Sequence, residues 1–474
     1  MVQKTIVGLG RSRHDSSVCV SINGEVKYAK YEREVGIKQS VAPEEWFWKK
    51  IFGWGVKKPD FICYTDETDL GITKRLPLNG EYYCEVKDNH YLLDHHFAHL
   101  WSNTNFNHNK QGVVIDGCGS GGHTTLIKSD KLYRSKSLTP AHLFHLITLV
   151  MKLSNNPYGN VAGKLMGLMS YGKPDYKLYE IFKGFDLDKI YQYCQNVYKT
   201  NNKEWWDILA TVNLKCYDFI KNVFSFTDKK KEIIYSGGAA LNVQWNSLLQ
   251  QEGYKLNIEP HVYDGGLSIG CVRWAHDFLK LKQPTFLNFP YIQDDECPDI
   301  QPSEKTIKTI AKALSKGKLV GWYQGFGELG PRALGNRSIL LDPRVQNGRD
   351  YLNEKVKFRE WWRPYGASFL ENHAQYSPYM LYQYPIKNNY PAIKHVDHSC
   401  RHQTVNENQN YSFYKLIKEF YDLTGVPCLL NTSLNIKGKP IVGTIKEAMS
   451  ILKKSPLDIL VVGDDIYYSN DKGT

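Results

Sequence analysis

The sequence predicts an α/β protein of two domains, the first built from a duplicated unit, and three observations carry that prediction. Length is one: 474 residues exceed a single ordinary domain and suffice for two, each with its own core. A repeat is the second. Thr5 to Gly8 is apolar, Arg11 to Asp15 is a polar turn, Ser17 to Ile22 alternates, and Asn23-Gly24 gives a type I′ hairpin signal into Glu25 to Tyr31. The same order recurs in Gly112 to Ile115, the glycine-rich turn Asp116 to Gly122 (DGCGSGG), Thr124 to Lys128 and, after Ser129-Asp130-Lys131, Leu132 to Ser135. Punctuation is the third. Pro284 to Pro302 carries four prolines and the acidic Asp294, Asp295 and Glu296 without periodicity, which separates a domain over 1–290 from one over 303–474.

Two copies of strand, turn and hairpin, each followed by helical sequence, are the organisation of a ribonuclease-H/actin-like ATPase fold, in which both hairpin turns face one phosphate chain. Between the copies, His95 and His99 of DHHFAH stand at i and i+4 of a helix and share a face. Asp116 ends the strand that opens the second copy, and Asp264 lies in HVYDGGLSIG, another strand followed by glycines. Two imidazoles with two carboxylates form a mixed N/O donor set suited to iron, manganese or zinc. Lys164 lies in the glycine-punctuated YGNVAGKLMGLMSYG. The strand Ile233 to Ser236, the Gly237-Gly238 turn and a helix from Ala239 to Gln250 make a junction where free amides offer a place for a phosphate or an adenosine.

In the second domain, Ser303 caps a helix with Ile307, Ile310, Ala311 and Leu314 on one face, and the strand Leu319 to Tyr323 follows. That strand delivers Gly325 to Arg344 (GFGELGPRALGNRSILLDPR), with four glycines, Glu328, and Arg332, Arg337 and Arg344 within thirteen residues. Arg349, Lys355, Lys357, Arg359 and Arg363 extend the run to eight cationic groups in 32 residues. Glycine permits positive φ and close ligand approach, while guanidinium forks bind phosphate in bidentate fashion, so the stretch reads as a polyanion site. Finally, the amphipathic helix Tyr411 to Thr424 leads into the strand Val426 to Leu430, whose end releases Asn431, Thr432, Ser433 and Asn435.

Composition narrows the function classes. Hydrophobic residues at 42% and charged residues at 23% describe a globular protein, and no apolar run reaches membrane-spanning length. The opening MVQKTIVGLG enters a strand directly without signal-peptide architecture, so the expected location is the cytoplasm. Ten cysteines without a CxxC point to reduced thiols rather than a zinc ribbon or a disulfide framework. A net charge of +11 fits nucleotides and phosphates, and fits nucleic acid equally.

GPRALGNRSILLDPR, VKFREWWRPYGAS and LLNTSLNIKGKPIV resemble the YrdC-like C-terminal half of the NodU/CmcH-type O-carbamoyltransferases. RHDSS, DHHFAH, IDGCGSGG, GKLMGLMSYG, YSGGAALN and YDGGLSIG resemble their N-terminal half, which is actin-like and similar to transfer-RNA threonylcarbamoyl synthases. The resemblance implies an ATP- and carbamoyl-phosphate-dependent transferase: the YrdC-like domain makes carbamoyl-adenylate with Mg2+ on the phosphates, and the actin-like domain passes the carbamoyl group to a hydroxyl.

It further implies that Arg332, Arg337, Arg344, Lys357, Arg359 and Arg401 hold carbamoyl phosphate and the ATP phosphates, with Arg332 and Arg337 catalytic and with polar contacts from Asn431 and Ser433. His95, His99, Asp116 and Asp264 would bind Fe2+. Gly237, Gly238 and Asn242 would meet adenosine, with Gly119 and Lys164 as further nucleotide contacts. His14, on the first turn, would be the general base on the acceptor hydroxyl, since imidazole titrates near neutral pH. The implied acceptor is a small sugar, nucleoside or natural product. A hydroxymethyl base of a nucleotide or nucleic acid is the alternative, no membrane partner is expected, and a homodimer is left open. The segment around Arg401, SCRHQTV, matches the family more weakly.

Overall fold

The computed structural model describes residues 4–12, 14–66, 82–117, 123–128, 131–153, 162–200 and 205–469. The chain forms two compact units, one of residues 1–31 and 39–285, the other of residues 32–38 and 286–474.

The first unit contains two sheets. Strands β1 (Thr5–Arg11), β2 (Ser17–Ile22), β3 (Glu25–Lys30), β4 (Phe61–Asp66), β5 (Tyr83–Lys87) and β6 (His90–Leu93) lie in the order β3-β2-β1-β4-β6-β5. Strands β7 (Gln111–Ile115), β8 (Thr124–Lys128), β9 (Lys131–Ser135), β10 (Glu232–Ser236) and β11 (Lys255–Asn257) lie in the order β11-β10-β7-β8-β9. In each sheet an antiparallel three-strand meander is followed by two strands parallel to its first member, so the duplication read from the hairpins extends through both sheets. Asn23 and Gly24 have φ of 57° and 88°, the two positive values that a type I′ turn demands. Between β9 and β10 the chain inserts helices, including Pro140–Val150, Ala162–Met169 and Trp205–Ser225.

One junction differs from expectation. No helix starts at Ala239: Gly238–Leu241 is a single 3₁₀ turn, and the helix begins at Val243 because Asn242 caps it, its side chain accepting from the amides of Gln244 and Trp245.

The helices that carry the expected metal ligands pack unusually closely. The helix Leu267–Phe278 runs against both β1 and the helix His95–Ser102. A Cβ on Gly270 would overlap the carbonyl of Ala98, and one on Gly8 would overlap the carbonyl of Ser268. Only glycine admits that approach.

The second unit holds one eight-stranded mixed sheet. It comprises β12 (Val320–Tyr323), β13 (Arg337–Leu341), β14 (Gly366–Leu370), β15 (Tyr382–Pro385), β16 (Ser399–Val405), β17 (Cys428–Ser433), β18 (Ile459–Val462) and β19 (Asp465–Tyr468) in the order β15-β16-β14-β17-β13-β12-β18-β19. Helices Glu304–Ser315 and Tyr411–Thr424 bury Ile307, Ile310, Leu314, Phe413, Leu416, Ile417 and Phe420 against it. One reading shifts here: Asn431 to Ser433 lie within β17 instead of beyond its end, while Arg337 opens β13. No helix among the described residues is long and apolar enough to cross a membrane.

Gly270→Ala is expected to destabilise the protein by about 3 kcal/mol or more, since backbone rather than a flexible side chain blocks the added methyl. Gly53→Ala meets open space and should stay within about 0.5 kcal/mol of wild type. Equal denaturation midpoints for the two variants would contradict this packing.

Candidate functional site

Each unit carries one concentration of polar chemistry. In the first, His95 and His99 project from one face of their helix, which Asp94 caps by accepting from the amide of Phe97. Asp116 follows β7 and Asp264 precedes the helix Leu267–Phe278. His95 Nε2 lies 3.1 Å from Asp116 Oδ2, 3.1 Å from His99 Nε2 and 3.6 Å from Asp264 Oδ1. His99 Nε2 lies 3.4 Å from Asp116 Oδ2 and 3.5 Å from Asp264 Oδ1. Four donor atoms held at about 2.1 Å from one ion would be separated by roughly 3.0–3.5 Å, so this buried set fits a single cation of the kind that mixed imidazole and carboxylate donors favour.

The glycines at the junction have a different role from the one expected of them. Gly238 N–H donates to Asp116 Oδ1 at 2.9 Å, which leaves Oδ2 for the histidines. Gly237 has φ of 90°, and a side chain there would strike the backbone of Ile115. These residues orient a ligand; the Gly238 amide is already used. Asn242 likewise spends its oxygen on the helix cap. Burial works to raise the pKa of both aspartates, and the imidazoles around them overcome it, so both carboxyls sit below their usual range.

Asp264 has a second face. Its Oδ2 accepts from Ser12 Oγ at 2.6 Å and lies 3.6 Å from His14 Nε2. His14 is the partly exposed member of the group, with 29% of its side chain accessible. Lys164 stands apart, donating to the carbonyl of Leu153 at 2.7 Å. Gly119 lies outside the described residues.

In the second unit the loop before β13 is folded around Glu328. Its Oε1 accepts from the amides of Leu334, Asn336 and Arg337 at 2.8, 3.0 and 3.0 Å. Asn431 and Gln403 donate to the carbonyls of Ala333 and Leu334 from the other side. Held between them, Arg332 joins Arg359, Arg363 and Arg401. Burial, then Arg401, Arg363 and Arg359, depress Arg332 well below the ordinary arginine value, while burial and neighbouring guanidinium groups push Arg363 and Arg401 down to about 10. The Nε atoms of Arg332 and Arg401 are buried without a hydrogen-bond acceptor among the described residues. Gly366 stands opposite both Arg401 and Asn431 in the sheet, and a Cβ there would come within 3.2 Å of Arg401 Nε. Like charges gathered with unsatisfied donors suit an anionic ligand.

Several residues expected to bind phosphate do other work. Arg337 is fully buried, donates to the carbonyls of Gln324, Asn336 and Glu296, and lies 3.6 Å over the Tyr323 ring, its cross-strand neighbour. Its two terminal nitrogens are occupied by backbone carbonyls, while its Nε, like those of Arg332 and Arg401, is buried without an acceptor among the described residues. Arg344 pairs with Asp342 through Nε and Nη2. Lys357 donates to the carbonyls of Ser433 and Asn435 and to Asn435 Oδ1, which uses all three of its donors. Ser433 Oγ donates to Asn435, and Asn431 is buried with its amide on Ser368 and Gln403. Arg359 belongs to the cluster while anchored by Asn353 and stacked 4.3 Å over Tyr365. Arg363 was counted in the cationic run but not among the residues expected to hold the phosphates, although its place after two tryptophans in FREWWRP was a usable signal.

Inorganic pyrophosphate should raise the thermal midpoint of the wild type and not that of Arg332→Met, which itself should unfold within about 1 kcal/mol of wild type or above it because repulsion is relieved. Arg337→Met should lose about 2–4 kcal/mol from its stranded carbonyls. The reverse ranking would reassign the two arginines. Equilibrium dialysis of the full chain should give one tightly held divalent ion, with affinity reduced on the order of 100-fold or more in His99→Ala.

Residues 311–468 match the family described as carbamoyltransferase C-terminus. Nodulation protein NolNO of Sinorhizobium fredii (strain NBRC 101917 / NGR234) is 33% identical over 271 residues, covering 49% of this chain and 39% of that protein. Nodulation protein U of Bradyrhizobium diazoefficiens is 29% identical over 59% of this chain and 58% of that protein. The chain thus spans less than two thirds of the length of these two relatives. Among solved structures, component A of the (R)-2-hydroxyglutaryl-CoA dehydratase of Acidaminococcus fermentans superposes with a TM-score of 0.37 at 11% identity, covering 56% of this chain and 96% of that one. Its C-terminal region thus matches the carbamoyltransferase C-terminus family, and about half of the chain or somewhat more is similar to nodulation proteins NolNO and U.

Proposed function

We propose that the protein is an ATP-dependent O-carbamoyltransferase working in two steps, one in each unit. The observation that carries the reading is the buried cluster of Arg332, Arg359, Arg363 and Arg401, two of them with orphaned Nε donors, inside the region that matches the carbamoyltransferase family. In the second unit, taken as YrdC-like, Arg332, Arg359, Arg363 and Arg401 bind carbamoyl phosphate and the Mg2+-bound phosphates of ATP. Carbamoyl phosphate, water and ATP give carbamoyl-adenylate, phosphate and pyrophosphate. Adenylation equips a poorly electrophilic carbamate with a good leaving group.

In the first unit, His95, His99, Asp116 and Asp264 would hold a divalent ion, iron by family resemblance. When bound, that ion supplies positive charge to the adenylate phosphate. His14 Nε2 takes the proton of the acceptor hydroxyl, its oxygen bonds to the carbamoyl carbon, and AMP leaves with the electron pair. Asp264 holds the donor set through one oxygen and Ser12 through the other, which keeps the base and the ion site in register. Ring hydroxyls of a sugar, nucleoside or natural product are the acceptor class.

The full chain supplied with Mg2+, Fe2+, ATP and carbamoyl phosphate should form AMP and pyrophosphate only when both substrates are present. Arg332→Met should lower pyrophosphate formation by on the order of 100-fold or more, since an oriented cationic clamp is worth several kcal/mol in such steps. A folded, metal-loaded protein that makes neither product, or an Arg332→Met variant with full pyrophosphate formation, removes the reading.

A further inference from the structure

His14 is held by a device that sequence reading did not single out. Its Nδ1 lies 2.6 Å from Asp15 Oδ2. The other oxygen of Asp15, Oδ1, is 2.5 Å from Lys30 Nζ, and both side chains of that ion pair are about 95% buried, with accessibilities of 5% and 4%. Lys30 in turn donates to the hydroxyl of Tyr263 at 2.9 Å and lies 4.5 Å over its ring. Tyr263 immediately precedes Asp264, and the turn after it is fastened by Tyr28, which donates to the carbonyl of Gly265 at 2.7 Å. The chain of contacts therefore starts at the imidazole and ends at the segment carrying an expected metal ligand.

We propose that Asp15, clamped by Lys30, is a positioning residue that fixes His14 as the Nδ1–H tautomer and turns Nε2 toward Asp264. The inference rests on the reading of His14 as the base of the transfer step. A carboxylate can only accept, so a 2.6 Å contact to Nδ1 requires the proton to be on Nδ1. The lone pair then belongs to Nε2. That atom stands 3.6 Å from Asp264 Oδ2, and 29% of the His14 side chain is accessible to solvent. The ion pair also explains why Asp15 cannot swing away: Oδ1 is tied to a buried ammonium that Tyr263 also holds. In the opposite tautomer Nε2–H would point at Asp264 and could not take a proton from a hydroxyl.

The test combines a spectroscopic and a kinetic readout on the full chain. Histidine labelled with 13C and 15N in the zinc-loaded, diamagnetic protein reports the tautomer, and the His14 signal is assigned by its loss in His14→Asn. The wild type should show Nδ1 protonated and Nε2 bare, and Asp15→Asn, whose amide can donate as well as accept, should show a mixture. AMP release with water standing in for the acceptor hydroxyl should fall about 100-fold in Asp15→Asn, while pyrophosphate formed in a single turnover stays within about twofold, because only the base-assisted step is affected. Asp15→Glu, which restores an acceptor, should recover part of the rate. If Asp15→Asn fails to fold with Lys30 left unpaired, the double variant Asp15→Asn with Lys30→Met removes the buried pair together and carries the same expectation. A proton on Nε2 in the wild type overturns the proposal, as does AMP release within about threefold of wild type in the folded variants. Undiminished AMP release in His14→Asn would instead remove the base reading itself, whatever the tautomer.

Discussion

The close approach of one helix to two neighbours is the constraint on which the first unit depends. Leu267–Phe278 touches β1 at Gly8 and the helix His95–Ser102 at Gly270, in both cases backbone against backbone. Dispersion and the exclusion of water act strongly at that range, and the interior has no slack to absorb a displacement. Asp264 lies just before this helix, His95 and His99 project from the one it crosses, and His14 follows the strand it covers. Three segments distant in sequence are thereby locked at one point, and the donor distances of 3.1–3.6 Å among the imidazoles and carboxylates follow from that lock.

The second unit manages the opposite problem. Its central side chains repel one another, and the loop that carries Arg332 would open without restraint. Glu328 supplies the restraint by accepting three backbone amides, and Gly335, with φ of 114°, lets the loop pass Phe413. The side chains of Asn431, Gln403 and Tyr291 close the carbonyl side. Stability spent on holding like charges together is characteristic of a binding site whose ligand brings the compensating charge. Arg337 illustrates the contrast: it is as cationic as Arg332 and only five residues away, yet both of its terminal nitrogens donate to backbone carbonyls.

The sheet architecture and the gathering of His95, His99, Asp116 and Asp264 were legible because each rests on local rules. Hairpin signals and apolar strands marked both copies of the duplication, and the i, i+4 spacing of His95 and His99 needs only a helix to bring the rings together. The anion site was legible in kind and not in membership. Composition cannot distinguish Arg332 from Arg337 or Arg344, because the difference lies in partners such as Tyr323 and Asp342 that a strand register or a turn brings near. Lys357 is polar and close to the cluster in sequence, yet all three of its donors are spent on protein groups, and the amide nitrogen of Asn431 is likewise engaged while its Oδ1 has no donor among the described residues. Asp15 and Lys30 escaped notice since one sits in a turn and the other ends a strand, and only the folded hairpin pairs them. Gly237 and Gly238 pointed to a ligand, and the group they meet proved to be Asp116.

The account turns on the formation of carbamoyl-adenylate, in which a carbamate oxygen becomes bonded to the α-phosphorus of ATP and leaves with AMP. The most direct measurement supplies the full chain with ATP and carbamoyl phosphate labelled with oxygen-18 in its carbamoyl oxygens, and weighs the AMP released. One labelled oxygen in AMP is the predicted result. Unlabelled AMP, or release of ADP in its place, would contradict it.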